Sequence, residues 1–112
     1  MSKLHRAIAK ECIKAFPEEA CGVVLGSEVV PLKNFSDEPC ESFVISGADY
    51  LKYNPSIIYH SHPKGDYGMS DHDITVAVNM DLTSYVYVVE QDRLEVFSND
   101  AGLLKFEKVT RK

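Results

Sequence analysis

An apolar run, Ile57-Ile58-Tyr59, passes directly into a polar segment that holds three of the four histidines and three aspartates by position 73. No other stretch restricts the fold as strongly. The run reads as a central strand, and a strand continued through His60 and His62 sends both imidazoles to the same face. Pro63, Gly65 and Gly68 then keep the backbone out of regular structure. Asp73, eleven residues past His62, offers a hard oxygen ligand. Two imidazoles and a carboxylate are a set that leaves zinc a fourth position open to water. The fold must therefore bury a strand up to Tyr59 and open at its end.

The 112 residues fit one domain, expected over residues 1–112, with enough chain to bury a single core. A net charge of −5 sets the chain against nucleic acid and anionic membrane surfaces as partners, and there is no basic run longer than Thr110-Arg111-Lys112 to override it. Cys12, Cys21 and Cys40 are odd in number and lack Cys-x-x-Cys spacing, which suits a reducing compartment. Residues 2–6 are polar where a signal peptide would need an apolar core, and no apolar run approaches spanning length. A cytoplasmic location is the expectation.

Leu4, Ala7, Ile8, Cys12, Ala15 and Phe16 recur at helical spacing, with Ser2 placed as cap and Pro17 as stop, and His5 is expected at the helix rim. Residues 20–25 and 29–35 form an expected hairpin around Gly26-Ser27-Glu28, the first strand apolar enough to be covered on both faces. A third strand is expected over residues 42–46, a short helix over 48–53, and a second full helix from Asp71 to about Met80. Residues 85–89 are strand-like, Gln91-Asp92 is a turn, and in the next strand Leu94 and Val96 face opposite to Arg93, Glu95 and Phe97. Residues 103–109 supply the last strand. Strands outnumber helices without regular alternation, which predicts an α+β domain with helices flanking a mixed, largely antiparallel sheet.

The polar segment offers more donors than a metal needs. Asp66, Asp71 and His72 compete with His60, His62 and Asp73, although His72 points about 100° away from Asp73 on a helix. Ser70 and Asp73 also have the spacing of a helix capping box, which accounts for both residues without a metal and is compatible with one. A hydrolytic metal site also needs a proton acceptor. Glu18 and Glu19 stand before the apolar strand, where an acidic pair is ordinarily solvated. Cys21 inside that strand reads as a small buried hydrophobe rather than a nucleophile. Tyr50, Tyr53, Tyr67 and Met69 read as packing residues that could also rim a substrate groove.

Taken together, Glu19-Ala20-Cys21-Gly22 leading into Val-Val-Leu-Gly, then His60-Ser61-His62-Pro63, then Ser70 and Asp73, resemble the JAMM metalloproteases, also called MPN-plus or JAB domains. The family pattern is an upstream glutamate, then His-x-His, seven residues, Ser, two residues and Asp, and every element is present at that spacing. The resemblance implies the cytidine-deaminase-like α-β-α layering of such domains. It implies Zn2+ held by His60, His62 and Asp73, with Glu19 rather than Glu18 as general acid/base and Ser70 as a hydrogen-bond donor to the oxyanion.

Family members cut isopeptide bonds to ubiquitin or peptide bonds in sulfur-carrier adducts, or occur in phage tail-tip assembly proteins. The length leaves little room for the insertions that grip ubiquitin chains, so the resemblance is to the minimal prokaryotic or phage form. The implied partner is a peptide or protein substrate such as a ubiquitin-like C-terminal tail. The alternative is a non-catalytic assembly or binding module that keeps the JAB fold.

Overall fold

The structure is a computed structural model and describes residues 2–64, 68–100 and 102–111. Helix α1, Lys3–Ala15, begins where the Ser2 hydroxyl accepts the His5 N–H, as the capping position predicts. Strands β1, Cys21–Leu25, and β2, Glu28–Leu32, form the expected hairpin. A short helix α2, Gly47–Tyr53, leads to β3, Ile57–His62, and α3, Asp71–Asn79, follows it. Then come β4, Thr83–Val88, a 3-10 turn over Val89–Gln91, β5, Arg93–Asp100, and β6, Leu103–Arg111.

The six strands make one sheet in the order β2-β1-β3-β4-β5-β6. Only β3 and β4 run parallel, joined by the crossover through α3, and every other pair is antiparallel. This is an α+β fold with a mixed, largely antiparallel sheet. Residues paired laterally share a face, so Cys21, His60, Val86 and Glu95 form one row across four strands. One position along, the row Gly22, Tyr59 and Tyr85 points the other way.

Each face has its own apolar cluster. Ile8, Ala9 and Cys12 of α1 pack on Val24, Tyr59, Tyr87 and Leu94. On the opposite face Phe43, Ile45 and Leu82 close over Cys21, Val23 and Ile58. Strand β1 is covered on both sides, as its unbroken apolar run predicts. Gly22 is required there because a Cβ would lie 2.3 Å from the Val30 carbonyl oxygen and 2.7 Å from the Tyr59 ring.

Three expectations need correction. Residues 42–46 are not a strand, although Phe43 and Ile45 are buried as alternation predicts and Val44 is exposed. Their backbone is served by Phe35 and by the Asn34 side chain instead of a ladder. His5 does not sit at the rim but is fully buried, beginning the α1 stripe of His5, Ile8, Ala9 and Cys12, with its ring edge-on to Tyr87. Strand β2 stops at Leu32 instead of running to Phe35, because Asn34 takes its bonds from the following loop.

Candidate metal centre

His60 and His62 sit at the C-terminal end of β3 on the face that carries the Cys21–Glu95 row, as the strand alternation predicts. His60 is fully buried and its ring stacks on Phe43 at 4.4 Å between centroids, so its orientation is fixed by packing. Asp73 arrives from the first turn of α3. The Ser70 hydroxyl accepts the Asp73 N–H at 3.1 Å, and the Asp73 carboxylate accepts the Ser70 N–H at 3.1 Å, a reciprocal capping box.

The Nε2 atoms of His60 and His62 lie 3.2 Å apart, and Asp73 Oδ2 lies 3.1 Å from the first and 3.4 Å from the second. Each Nε2 carries at most one hydrogen and an ionised carboxylate carries none, so two hydrogens at most serve these three contacts. A cation at their centre removes that deficit. Ligand bonds of 2.0–2.1 Å to a tetrahedral zinc put donor atoms about 3.3–3.4 Å apart, close to the spacing of this triangle.

The protonation states suit a cation. Burial pushes His60 below the usual histidine range, towards the neutral imidazole that a metal needs. Burial acts to raise the Asp73 pKa, but the hydrogen bonds it accepts from His60, His62 and the Ser70 N–H outweigh it. The carboxyl is held well below the ordinary carboxylate range. The donor set is therefore two imidazoles, the buried His60 held towards its neutral form, and one carboxylate.

Glu19 joins from the approach to β1, the strand beside β3, two residues before Cys21. It is 8% exposed, far from the solvated position that an acidic pair ordinarily takes, while Glu18 is exposed. Its carboxylate and the His60 and His62 nitrogens lie within 4.8 Å of one another. Several bonds hold the Glu19 backbone. Its N–H donates to the Pro39 carbonyl at 2.7 Å, and its carbonyl accepts from Asn34 Nδ2 at 3.1 Å. Next to it, Ala20 N–H donates to the Ser61 hydroxyl at 2.8 Å and the Ala20 carbonyl accepts the Ser61 N–H at 3.1 Å. The residue between the two histidines thus fastens the strand start that carries Glu19.

A cleft of about 290 Å³ opens over the triangle, lined by Glu19, Ser42, His62, Met69, Ser70 and Asp73 among others. Ser70 is exposed to it, and with its oxygen accepting from Asp73 its O–H hydrogen remains available to the cleft. On the far side of the loop, Glu95 is 2% exposed, pairs with Arg93 at 3.2 Å and accepts the Gly68 N–H at 2.8 Å, tying the segment before Ser70 to β5.

Of the competing donors, His72 is exposed at the cleft wall, edge-on to Phe43, and Asp71 is exposed at the helix start. Asp66 lies outside the described residues, as does Tyr67. Tyr50 and Tyr53 pack against the core on the Cys21 face, and Met69 lines the cleft. Cys21 is buried and its thiol is pushed up to about 12, which removes it as a nucleophile near neutral pH. The sequence assigns no role at the site to Asn34, Phe43, Ser61 or Glu95. Each has a partner distant in sequence, and only the folded chain reveals it.

Among the described residues, no helix is long and apolar enough to cross a membrane. No curated protein matches the chain in a sequence search. Among solved structures, the solution structure of protein DSY2949 from Desulfitobacterium hafniense superposes with a TM-score of 0.77 at 20% identity, covering 100% of this chain and 90% of that one. That likeness is one of fold. The family model described as prokaryotic homologs of the JAB domain matches residues 1–100. With the six-stranded mixed sheet and the clustered Glu19, His60 and His62, the chain belongs to the prokaryotic homologs of the JAB domain.

Proposed function

We propose that this domain is a zinc-dependent hydrolase of peptide or isopeptide bonds. The observation that carries the reading is the triangle of His60, His62 and Asp73, whose three contacts outnumber the hydrogens available to them. His60, His62 and Asp73 would hold the ion, leaving the cleft side for water and substrate. Zinc bound there would polarise the substrate carbonyl and lower the pKa of water.

The chain's own residues would do the rest. Glu19, close enough to the histidine nitrogens to act directly or through one water, takes the proton of the attacking water and passes it to the departing amine. Ser70 directs its free O–H hydrogen at the carbonyl oxygen as negative charge develops there. One such donor is worth on the order of 3 kcal/mol. The narrow cleft suits an extended peptide segment, such as the C-terminal tail of a ubiquitin-like protein.

The test combines metal analysis with one substitution. Protein purified without chelator is expected to carry about one zinc per chain. Glu19→Gln should keep that zinc and lose roughly 10²–10⁴-fold in hydrolysis of a peptide and isopeptide panel. A Glu19→Gln variant as active as the parent would remove Glu19 from the reaction. Absence of zinc, with a fold indifferent to chelator, would favour a non-catalytic JAB-fold binding module instead.

A further inference from the structure

Asn34 lies just past the end of β2 and uses every hydrogen-bonding position of its side chain. Nδ2 donates to the carbonyls of Glu19, at 3.1 Å, and Ser42, at 3.0 Å. Oδ1 accepts the N–H groups of Ser36 and Val44, both at 3.0 Å. A primary amide has two donors and two acceptor lone pairs, so this one is saturated. Two carbonyls at one end and two N–H groups at the other also dictate which way the amide faces. The same side chain therefore joins the approach to β1 to the 36–44 segment, and Glu19 and Ser42 are both walls of the cleft.

We propose that Asn34 is a positioning residue that sets where Glu19 stands in the cleft; this rests on the hydrolase reading of the same site. The Glu19 main chain is gripped twice by residues from one segment, at its carbonyl by Asn34 and at its N–H by the Pro39 carbonyl. Fixing both peptide groups fixes the direction in which the side chain leaves the backbone. A glutamate with three rotatable bonds then has fewer ways to miss the histidine nitrogens. No other side chain of this length supplies two donors and two acceptors. Aspartate has the same shape but presents acceptors to the Glu19 and Ser42 carbonyls, turning two attractions into repulsions while keeping the bonds from Ser36 and Val44.

The experiment uses the full chain and follows amide hydrogen exchange by NMR in the parent and in Asn34→Asp, beside zinc titration and steady-state kinetics. In the variant the Glu19 amide, which donates to Pro39, should exchange about tenfold faster, because the Glu19 carbonyl beside it loses the bond from Asn34 and with it about one hydrogen bond's worth of local stability. The Ser36 and Val44 amides and the β3 amides of His60 and Ser61 should hold their protection. Zinc stoichiometry and affinity should match the parent, because Asn34 touches none of the three ligands. On a substrate the parent cleaves, kcat should fall with KM unchanged.

Faster exchange throughout β1 and β3, with weaker zinc binding, would overturn the proposal in favour of a general structural role; so would an unchanged Glu19 amide. Should the variant fail to fold, the parent still decides. The Asn34 side-chain NH2 hydrogens must exchange slowly, and fast exchange sinks the clamp. A parent that binds no zinc and cleaves nothing overturns the hydrolase reading, whereas the grip on Glu19 stands or falls on the exchange data.

Discussion

The two acidic groups of the site are placed by opposite means. Asp73 is held by Ser70, three residues away, in a capping box that any helix could form for itself. Glu19 is held by Asn34, Pro39 and, through Ala20, by Ser61, which stands 41 residues beyond Ala20. One carboxylate is positioned by a local motif and the other by segments distant in sequence, the loop after β2 and the end of β3. A local motif survives distortion of its surroundings, so the proposed ligand is robust. The proposed proton acceptor is only as well placed as the fold that carries it. This predicts that metal binding and hydrolysis can be separated by mutation, and that damage to the fold reaches Glu19 first.

Asp73→Asn attacks the local arm and should have the largest effect. The variant keeps an oxygen for the Ser70 N–H but loses the negative charge. Loss of a group that merely orients a ligand costs up to about 100-fold in metal affinity. Loss of a ligand's charge should exceed that, measured by competition with a chromophoric chelator. Set beside Glu19→Gln, which should retain zinc, it gives opposite outcomes for the two arms. A weakening of less than tenfold would break the comparison, since Asp73 would then be no more than a helix cap.

Ser61→Ala attacks the distant arm and should cost less. The Ala20 N–H loses its hydroxyl acceptor inside a fully buried site, and an orphaned buried donor costs about 1–3 kcal/mol. Urea unfolding should show the loss. Zinc stoichiometry should stay at the parent value while hydrolysis declines, because the displaced group is Glu19. Equal loss of zinc and activity would mean that Ser61 acts on its neighbouring histidines and not on the β1 start.

The same division explains what the sequence discloses. His60, His62, Ser70 and Asp73 fall within fourteen residues on a strand end and a helix start, and local periodicity and capping rules place them correctly. Glu19 looked like a solvated acid because local sequence cannot say that the 34–44 segment folds over it; only the family spacing selected it over Glu18. Glu95 is opaque for a similar reason. Alternation places it opposite Leu94 and Val96, as observed, yet it is buried and accepts the Gly68 N–H, a partner 27 residues away in sequence. His5 departs in the same direction as Glu19, since a polar residue at the edge of an apolar stripe reads as solvated until the sheet beneath it is known.

Cysteine labelling offers the mildest probe, one that leaves the parent protein unaltered. Cys21 follows Glu19 by two residues, and burial, reinforced by the charges of Glu19 and Asp49, pushes its thiol up to about 12. At pH 8 only about one molecule in 10⁴ would carry the thiolate that iodoacetamide attacks. Cys12, under α1, is likewise pushed to about 12 by burial, with a hydrogen bond from Ser61 working against it. In the folded parent, Cys40 at the cleft should therefore be the thiol that reacts. In Ser61→Ala, Cys21 should react faster if the β1 start loosens. Cys12 should not, because losing the Ser61 bond raises its pKa further. Ser70→Ala, which removes the cap of α3 at a cost of about 1 kcal/mol together with the proposed oxyanion donor, should leave Cys21 as slow as in the parent. Equal acceleration of Cys21 in both variants would show that the two arms yield together, and the separation of ligand from proton acceptor would fail with it.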